Sequence, residues 1–303
     1  MPGHSRAVAS RAVASMVAFL AAVSPGACGP QAADRGHADA ARDSGRSSTV
    51  AAANPQMVTV VAKDFSFDAP TQIPAGVTAV RLVNQGHELH HVTFIQLDDG
   101  KTAADLAAAI SKPGPAPSWT KSAGGPNTVV PGGTGNATLI LEPGNYVMVC
   151  LIQGADNVPH MAKGMMRPLT VTASIGASGS AATEPTADIT FGLTEYSFAL
   201  TPAPTRGGHT IRVDNNGKQG HEVVLLRLMP GKTTADLMAW MQKSVGPPPV
   251  EPLGGIAPLS PGRHGYFTAD LTPGSYVALC FVGDDADGKP HFAHGMIKTF
   301  TIT

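Results

Sequence analysis

The sequence predicts an all-β chain of two tandem β-sandwiches, each with one short helix. Its 34 glycines and 26 prolines divide 303 residues into short segments, which suits many strands joined by turns better than long helices. Residues 57–173 and 187–303 are moreover two copies of one pattern. Hydrophobic residues make up 43% of the chain and charged residues 14%, as in folded domains. We therefore expect two domains of similar size.

The internal repeat sets the domain boundaries. The matching stretches are residues 64–67 with 195–198, Asn84 with Asn215, His90 with His221, 100–102 with 231–233, and 141–147 with 271–277. A Ser-, Gly-, Ala- and Thr-rich stretch between the copies is typical of a linker. We predict a first domain over residues 57–173, a linker over 174–186 and a second domain over 187–303.

Each copy contains segments typical of strands and one segment typical of a helix. The predicted strands of the first copy, rich in β-branched and apolar residues between Pro/Gly turns, are 77–83, 91–97, 137–141 and 146–151. Thr102 with Asp105, and Thr233 with Asp236, resemble capping boxes with Asp in place of the usual Glu. Apolar residues then recur at helical spacing: Leu106 and Ile110 in the first copy, and Leu237, Trp240 and Met241 in the second. We expect these helices to lie against the sandwiches.

The N-terminus has the layout of an export signal. Arg6 and Arg11 precede an apolar run over residues 12–23, and small residues then lead to Cys28. The run is short for a permanent transmembrane helix, which is the alternative interpretation. The stretch ending at Cys28 resembles a bacterial lipobox, although Pro25 replaces the usual Leu-like residue. We predict a signal peptide over 1–28, a flexible tether over 29–56, and an exported protein, in the periplasm or at the cell surface, anchored to the membrane through a lipid on Cys28.

Overall charge excludes one class of partner. The formal net charge is −1, and no basic patch or nucleic-acid-binding motif is present, so we expect no nucleic-acid partner. No nucleophile–histidine arrangement and no phosphate-binding glycine loop is evident either. We therefore do not expect a hydrolase or nucleotide-dependent enzyme.

Metal-ligating residue types recur at equivalent places in the two copies. Cys150 and Cys280 each end an apolar segment, and equivalent interior positions of two sandwiches would rarely come close enough for a disulfide. In both copies a histidine follows the cysteine, a methionine follows that histidine by five residues, and a further histidine stands upstream. The two sets are His90, Cys150, His160 and Met165, and His221, Cys280, His291 and Met296.

This combination of ligands favours copper. A thiolate and two imidazoles can hold the ion in a trigonal plane, while a thioether supplies a weak axial contact. Zinc accepts cysteine and histidine as well, but a thioether is a poor zinc ligand. The alternative is purely structural, with cysteine as a small buried hydrophobe, methionine filling gaps and histidine capping a turn.

The sequence resembles the cupredoxins, the blue copper proteins of the plastocyanin and azurin group. The residues that carry the resemblance are Lys63-Asp64-Phe65-Ser66-Phe67-Asp68-Ala69-Pro70, Ile73-Pro74-Ala75-Gly76, Asn84, His90, Cys150, His160, Gly164 and Met165, with the same skeleton in the second copy. The resemblance implies Greek-key sandwiches and one type 1 copper per domain on the two ligand sets above. Two features depart from it. His91 and Glu222 stand where small cupredoxins usually have Asn, and the cysteine-to-histidine spacings of 10 and 11 residues are long, as in copper nitrite reductases.

Several functions are compatible with these residues. We expect a one-electron carrier whose partner is a redox protein, or a copper donor or acceptor, in the cell envelope. The alternatives are copper capture or delivery without redox cycling, a metal-free binding module, and a multicopper oxidase or nitrite reductase. In such enzymes a histidine adjoins the type 1 cysteine, whereas Leu151 and Phe281 follow Cys150 and Cys280 here. The sequence therefore favours a protein without catalytic activity.

Overall fold

The computed structural model describes residues 55–111, 114–173, 182–243 and 245–303. The predicted signal peptide, the lipidation site Cys28, nearly all of the tether and most of the linker lie outside these ranges. Within them, no helix combines the length and the apolar composition needed to cross a bilayer.

The first copy is built from nine strands and one helix in the described residues. They are β1 (Gln56–Lys63), β2 (Ser66–Asp68), β3 (Gln72–Pro74), β4 (Gly76–Asn84), β5 (Thr93–Leu97), α1 (Ala103–Ile110), β6 (Thr120–Ser122), β7 (Thr134–Leu141), β8 (Gly144–Val149) and β9 (Met166–Thr172). Strands β2, β1, β4 and β7 lie side by side in one sheet, and β3, β9, β8, β5 and β6 form the other. Buried and exposed residues alternate along β1 and β7, as expected for strands with one face on a core.

The second copy repeats this arrangement. Its elements are β10 (Ile189–Thr194), β11 (Ser197–Thr201), β12 (Gly207–Asn215), β13 (His221–Leu228), α2 (Thr234–Lys243), β14 (Val250–Leu259), β15 (His264–Leu271), β16 (Gly274–Leu279) and β17 (Ile297–Ile302). Strands β11, β10, β12 and β15 match the first sheet of the first copy, and β14, β13, β16 and β17 match the second. The prediction of an all-β chain with two tandem sandwiches and one helix in each is confirmed.

The two predicted helices form at the expected places. Thr102 caps α1, accepting a hydrogen bond from the Asp105 backbone N–H, while the Asp105 carboxylate accepts one from the Thr102 N–H at 2.9 Å. The same reciprocal pair joins Thr233 and Asp236 before α2. Trp240, which belongs to α2, is partly buried and packs against an apolar core cluster, as predicted.

Two strands of the first copy have other bounds than predicted. Strand β5 begins at Thr93 rather than at residue 91, and β8 covers Gly144–Val149 rather than residues 146–151. The reason is the same in both cases: the backbone leaves the ladder where it turns to form the candidate metal centre. His91 and Cys150 therefore lie in irregular backbone at one end of the sandwich.

The copies are joined more closely than a repeat with a linker suggests. Strand β7 pairs with β15 through Thr138 with Tyr266 and Leu139 with Gly265, so one eight-stranded sheet runs through both copies. A second antiparallel ladder follows residues 122–127 and 255–260, where Gly124 N–H donates to the Pro258 carbonyl and Ala257 N–H donates to the Gly125 carbonyl. A single cluster of buried apolar side chains contains members of both copies.

Candidate metal centres

The first centre lies where three irregular segments meet at one end of the sandwich. His90 pairs with Val129 just before β5, Cys150 directly follows β8, and His160 begins a 3₁₀ turn, His160–Lys163. Gly164 ends this turn at φ 109°, a left-handed conformation that favours glycine, and reverses the chain toward Met165. The sequence spacing from His160 to Met165 thus returns the chain to the cysteine: Cys150 N–H donates to the Met165 carbonyl at 3.2 Å.

In the first centre the two histidines and the cysteine converge. The Nδ1 atoms of His90 and His160 are 3.1 Å apart, and the Cys150 sulfur lies 3.5 Å from the His160 Nδ1 and 4.0 Å from the His90 Nδ1. All three side chains are fully buried. The sequence prediction that these three residues act together is thus matched by their positions.

The second centre has nearly the same geometry. The Nδ1 atoms of His221 and His291 are 3.0 Å apart, and the Cys280 sulfur is 3.5 Å from the His291 Nδ1. These side chains are also fully buried, and His291 begins the equivalent 3₁₀ turn, His291–His294. Both cysteines are free thiols, in line with the expectation that they do not form a disulfide.

The two methionines occupy equivalent buried positions beside the centres. Met165 and Met296 are fully buried in the same apolar cluster as Cys150 and Cys280. Met165 N–H donates to the His160 carbonyl at 3.0 Å, and Met296 N–H does the same to His291. Their backbones are therefore fixed next to the predicted histidine ligands.

The outer ring nitrogen of each histidine has a polar neighbour. His90 Nε2 is 3.1 Å from Asp64 and His160 Nε2 is 3.0 Å from Glu88, so carboxylates orient both rings of the first centre. In the second centre Gln219 is 3.4 Å from His291 Nε2, whereas His221 Nε2 makes no hydrogen bond and has Glu195 3.6 Å away. Glu88 and Gln219 are repeat equivalents, so the two centres differ by one carboxylate at this place.

The unusual residues after the first histidine ligands replace the expected asparagine. His91 Nε2 accepts a hydrogen bond from Leu151 N–H at 2.8 Å, and the Glu222 carboxylate accepts one from Phe281 N–H at 3.0 Å. Leu151 and Phe281 directly follow the two cysteines, so each contact ties the loop of the first histidine to the loop of the cysteine. Sequence reasoning identified these two positions as departures, but their partners become visible only in the fold.

The sulfur atoms lie in an apolar setting with a few N–H donors. Burial raises the pKa of the Cys150 thiol to about 12, although backbone N–H groups of His91 and Ile152 donate toward the sulfur and lower it. Burial likewise raises the pKa of Cys280, opposed by the N–H groups of Glu222 and Val282. Burial also lowers the pKa of all four predicted histidine ligands, which favours the neutral imidazole that a metal requires.

The donor set and its dimensions fit a first-row metal ion. Bonds of about 2.0 Å to imidazole nitrogen and about 2.3 Å to thiolate sulfur in a trigonal plane separate the ligand atoms by roughly 3.5 to 3.7 Å. The observed separations in the first centre, 3.1, 3.5 and 4.0 Å, bracket these values. One sulfur and two inward-facing Nδ1 atoms, with a thioether residue adjacent, form a set of donors that suits copper better than a closed zinc site.

One further cluster of metal-capable side chains lies in the described residues. Asp284, Asp287 and His294 bring their ligand atoms within 4.8 Å of one another near the second centre. His294 and Asp287 pair at 3.1 Å, and Asp284 accepts hydrogen bonds from Tyr196 and Gln219. Each of the three side chains therefore has a hydrogen-bond partner within the protein. We interpret the cluster as a polar network that holds the long loop after Cys280.

The architecture and the centres together decide the fold assignment. Two face-to-face sheets in each copy, with a buried His–Cys–His cluster at one end and methionine five residues beyond the last histidine, are what the sequence resemblance implied. The fold is cupredoxin-like. A scan against family models and a search of curated proteins give no match.

Solved structures of copper proteins resemble this cupredoxin-like chain weakly. Auracyanin A, a "blue" copper protein from Chloroflexus aurantiacus, is 20% identical over 39% of this chain and 99% of its own, with a TM-score of 0.29. The copper-containing nitrite reductase of Thermus scotoductus is 12% identical over 82% and 62%, with a TM-score of 0.23. A blue copper oxidase from Nitrosomonas europaea is 13% identical over 82% and 86%, with a TM-score of 0.25. Values this low say nothing about what this chain does.

Proposed function

We propose that this chain is a copper-binding electron carrier with one type 1 centre in each copy. The first centre is held by His90, Cys150, His160 and Met165, and the second by His221, Cys280, His291 and Met296. The observation that carries the proposal is the pair of buried triangles of two Nδ1 atoms and one sulfur. Bound copper would alternate between Cu(I) and Cu(II) and so accept or donate one electron at each centre.

The protein supplies rigidity and exclusion of water at each centre. Partners on the outer nitrogens orient the rings of His90, His160 and His291, and the His91 and Glu222 side chains tie the histidine loops to the cysteine loops. Soft sulfur suits Cu(I) and imidazole suits Cu(II), so a fixed set of these ligands accommodates both oxidation states. Little rearrangement on oxidation or reduction is what an electron carrier needs.

Burial favours an electron carrier over a copper delivery protein. The three predicted equatorial ligands of each centre have 0% exposure, and so have both methionines. A delivery protein passes its ion by ligand exchange with a partner, which requires ligands that reach the surface. An electron can instead pass through the thin layer of protein over a buried centre.

The origin of each cluster in a single copy of the repeat supports an electron carrier rather than an enzyme. In the described ranges, none of the metal-capable groups combines side chains of both copies. Leu151 and Phe281, which follow the cysteines, offer no imidazole that could lead to a second metal. These observations support a role in electron transfer without substrate turnover.

The proposed location is the cell envelope. Its support is the N-terminal pattern of two arginines, an apolar run and the lipobox-like stretch at Cys28. A lipid on Cys28 and the tether of residues 29–56 would hold the two copies near the membrane, where a redox partner protein, or a copper donor or acceptor, would meet them. The domain limits proposed for this unit are those of the repeat, 57–173 and 187–303.

Copper titration tests the proposal directly. A soluble form spanning residues 29–303 is expected to bind two copper ions per chain and to show an intense visible thiolate-to-copper charge-transfer band with a paramagnetic Cu(II) signal. The matched control is the double variant Cys150→Ser/Cys280→Ser, which keeps the fold-determining strands and should remain colourless. A wild-type chain that is colourless and takes up no copper above the control would defeat the proposal.

A further inference from the structure

A buried chain of hydrogen bonds connects the two candidate centres. His91 of the first copy and Glu222 of the second both contact Asn127, with His91 Nδ1 3.2 Å from Asn127 Oδ1 and Asn127 Nδ2 2.9 Å from Glu222 Oε2. At the outer ends, His91 accepts from Leu151 N–H and Glu222 accepts from Phe281 N–H. The chain therefore runs from the residue after one cysteine to the residue after the other.

The direction of every hydrogen bond in this chain is fixed by its neighbours. Because His91 Nε2 accepts from a backbone N–H, the neutral ring carries its proton on Nδ1 and donates to Asn127 Oδ1. The Thr128 hydroxyl also donates to Asn127 Oδ1, at 3.1 Å, so the amide nitrogen of Asn127 must face Glu222. Only one arrangement of the three side chains satisfies all of these contacts.

The three side chains are shielded from water. The exposed fractions are 5% for His91, 2% for Asn127 and 5% for Glu222. In such surroundings hydrogen bonds polarise one another, and a change at one end is felt along the chain more strongly than it would be in water. Losing one link would also leave a buried polar group without a partner.

The ends of the chain adjoin the predicted metal ligands. His91 and Glu222 directly follow His90 and His221, and their side chains bind the N–H groups of the residues that follow Cys150 and Cys280. Hydrogen bonds to a thiolate ligand, and the other contacts just outside a metal centre, tune its reduction potential. A displacement of His91 or Glu222 therefore changes the electronic surroundings of its own centre.

Asn127 serves both copies. It lies in the first copy within the interdomain ladder. Because His90 pairs with Val129 and His221 pairs with Leu259, its repeat equivalent is Ala257, which has no polar side chain. A side chain whose only role was to join the two copies would not need to contact groups that adjoin both sulfurs.

We propose that His91, Asn127 and Glu222 couple the two metal centres, so that a change at one centre shifts the reduction potential of the other. The inference rests on the proposed function, because it requires copper at both places. The coupling is reciprocal: whatever the second centre does to the first, the first does to the second by the same free energy.

Substitution of the shared asparagine is the first test. In the full soluble chain loaded with two coppers, Asn127→Leu is expected to shift both reduction potentials, although Asn127 touches neither sulfur. The matched control is Asn136→Ala, since Asn136 also bonds across the copies, to the Thr268 backbone, but lies away from both centres. A purely adhesive role would make the two variants alike and leave both potentials unchanged.

A cross-copy cycle gives the decisive test. In the Cys280→Ser background only the first centre is measured, and Glu222→Gln in the second copy should still shift the reduction potential of that first centre. In the Cys150→Ser background only the second centre is measured, and His91→Asn in the first copy should shift its reduction potential. Each cross-copy shift should vanish when Asn127→Leu is added. Without any copper, the ¹⁵N shifts of the His91 ring should report a proton on Nδ1, because Nε2 accepts from Leu151 N–H.

The outcomes separate the two proposals. A chain that takes up no copper overturns the proposed function and the coupling with it. A chain that binds two coppers whose potentials ignore Asn127→Leu and the cross-copy variants overturns the coupling alone. A His91 ring that carries its proton on Nε2 in the wild type overturns the coupling as well, because the chain of donors would then be broken at its first link.

Discussion

Among single residues, the ligands of each centre depend on neighbours that fix which atom faces the metal. Hydrogen-bond partners on the outer nitrogens of His90, His160 and His291 leave the Nδ1 atoms of these rings to face the centre. The residues after the first histidines bind the loops that follow the cysteines. Single substitutions of these neighbours should therefore change one property of the centre at a time.

The axial ligand gives the first prediction at this scale. Met165→Leu should leave a coloured first centre with a raised reduction potential, because loss of the weak thioether contact favours Cu(I) without removing an equatorial ligand. Potentiometry in the Cys280→Ser background isolates this centre. Met161→Leu is the control, since Met161 is buried against a different apolar cluster. Equal potentials in the two variants would show that Met165 is a core residue.

The Glu88 carboxylate beside the outer nitrogen of His160 gives the second prediction at this scale. Glu88→Gln should raise the reduction potential of the first centre, because a negative group on His160 Nε2 makes the imidazole a stronger donor and favours Cu(II). The opposite change in the other copy, Gln219→Glu, should lower the potential of the second centre. Spectroelectrochemical titration of the two variants measures both shifts. Shifts of the same sign would contradict the assigned role of these groups.

The helices and strands could be predicted from the sequence, whereas the contacts that join the two copies could not. Local patterns placed α1 and α2, since the Thr102 and Thr233 caps and the apolar spacing act within a few residues. The repeat also placed the cysteines and histidines of each centre. The pairing of β7 with β15 and the position of Asn127 could not be predicted, because they depend on contacts between the two copies, such as that of Asn127 with Glu222, 95 residues apart. Asn127 also has no polar counterpart in the repeat.

A tyrosine contact between β16 and the turn before it yields a stability prediction. The Tyr276 hydroxyl donates to the Thr272 carbonyl at 2.6 Å and accepts from the Thr272 N–H, and its side chain is fully buried at the start of β16. Tyr276→Phe should lower the free energy of unfolding by about 1 to 3 kcal/mol, because two hydrogen bonds, each contributing about 0.5 to 1.5 kcal/mol, are lost. Denaturant titration measures the loss. The copper spectrum should stay unchanged, since Tyr276 lies four residues before Cys280 and its hydroxyl is bound to Thr272.

For the whole molecule, the two copies keep their metal ligands separate but share their framework. Each His–Cys–His cluster draws its three residues from one copy, so loss of one cysteine should remove one copper only. The sheet, the second ladder and the buried apolar cluster are common to both. This combination allows two independent metal sites whose surroundings are mechanically continuous, which is the setting that the His91–Asn127–Glu222 chain requires.

The shared framework predicts that the copies stay together when the chain between them is cut. A protease site introduced between residues 174 and 181 should allow cleavage into two fragments that still co-elute in gel filtration and unfold in one transition. The physical reason is that separation would expose an unpaired edge of β15 and the buried side chains of Ile256 and Leu259. The comparison variant is Gly124→Ala in the same cleavable chain: an added Cβ would lie 3.0 Å from the Leu259 side chain and 3.2 Å from the Ile256 side chain of the second copy, at φ 86°. This variant should weaken the association and release separate fragments at lower denaturant concentration. Fragments of the unmutated chain that separate on cleavage, each with its own melting transition, would show that the linker alone holds the copies together.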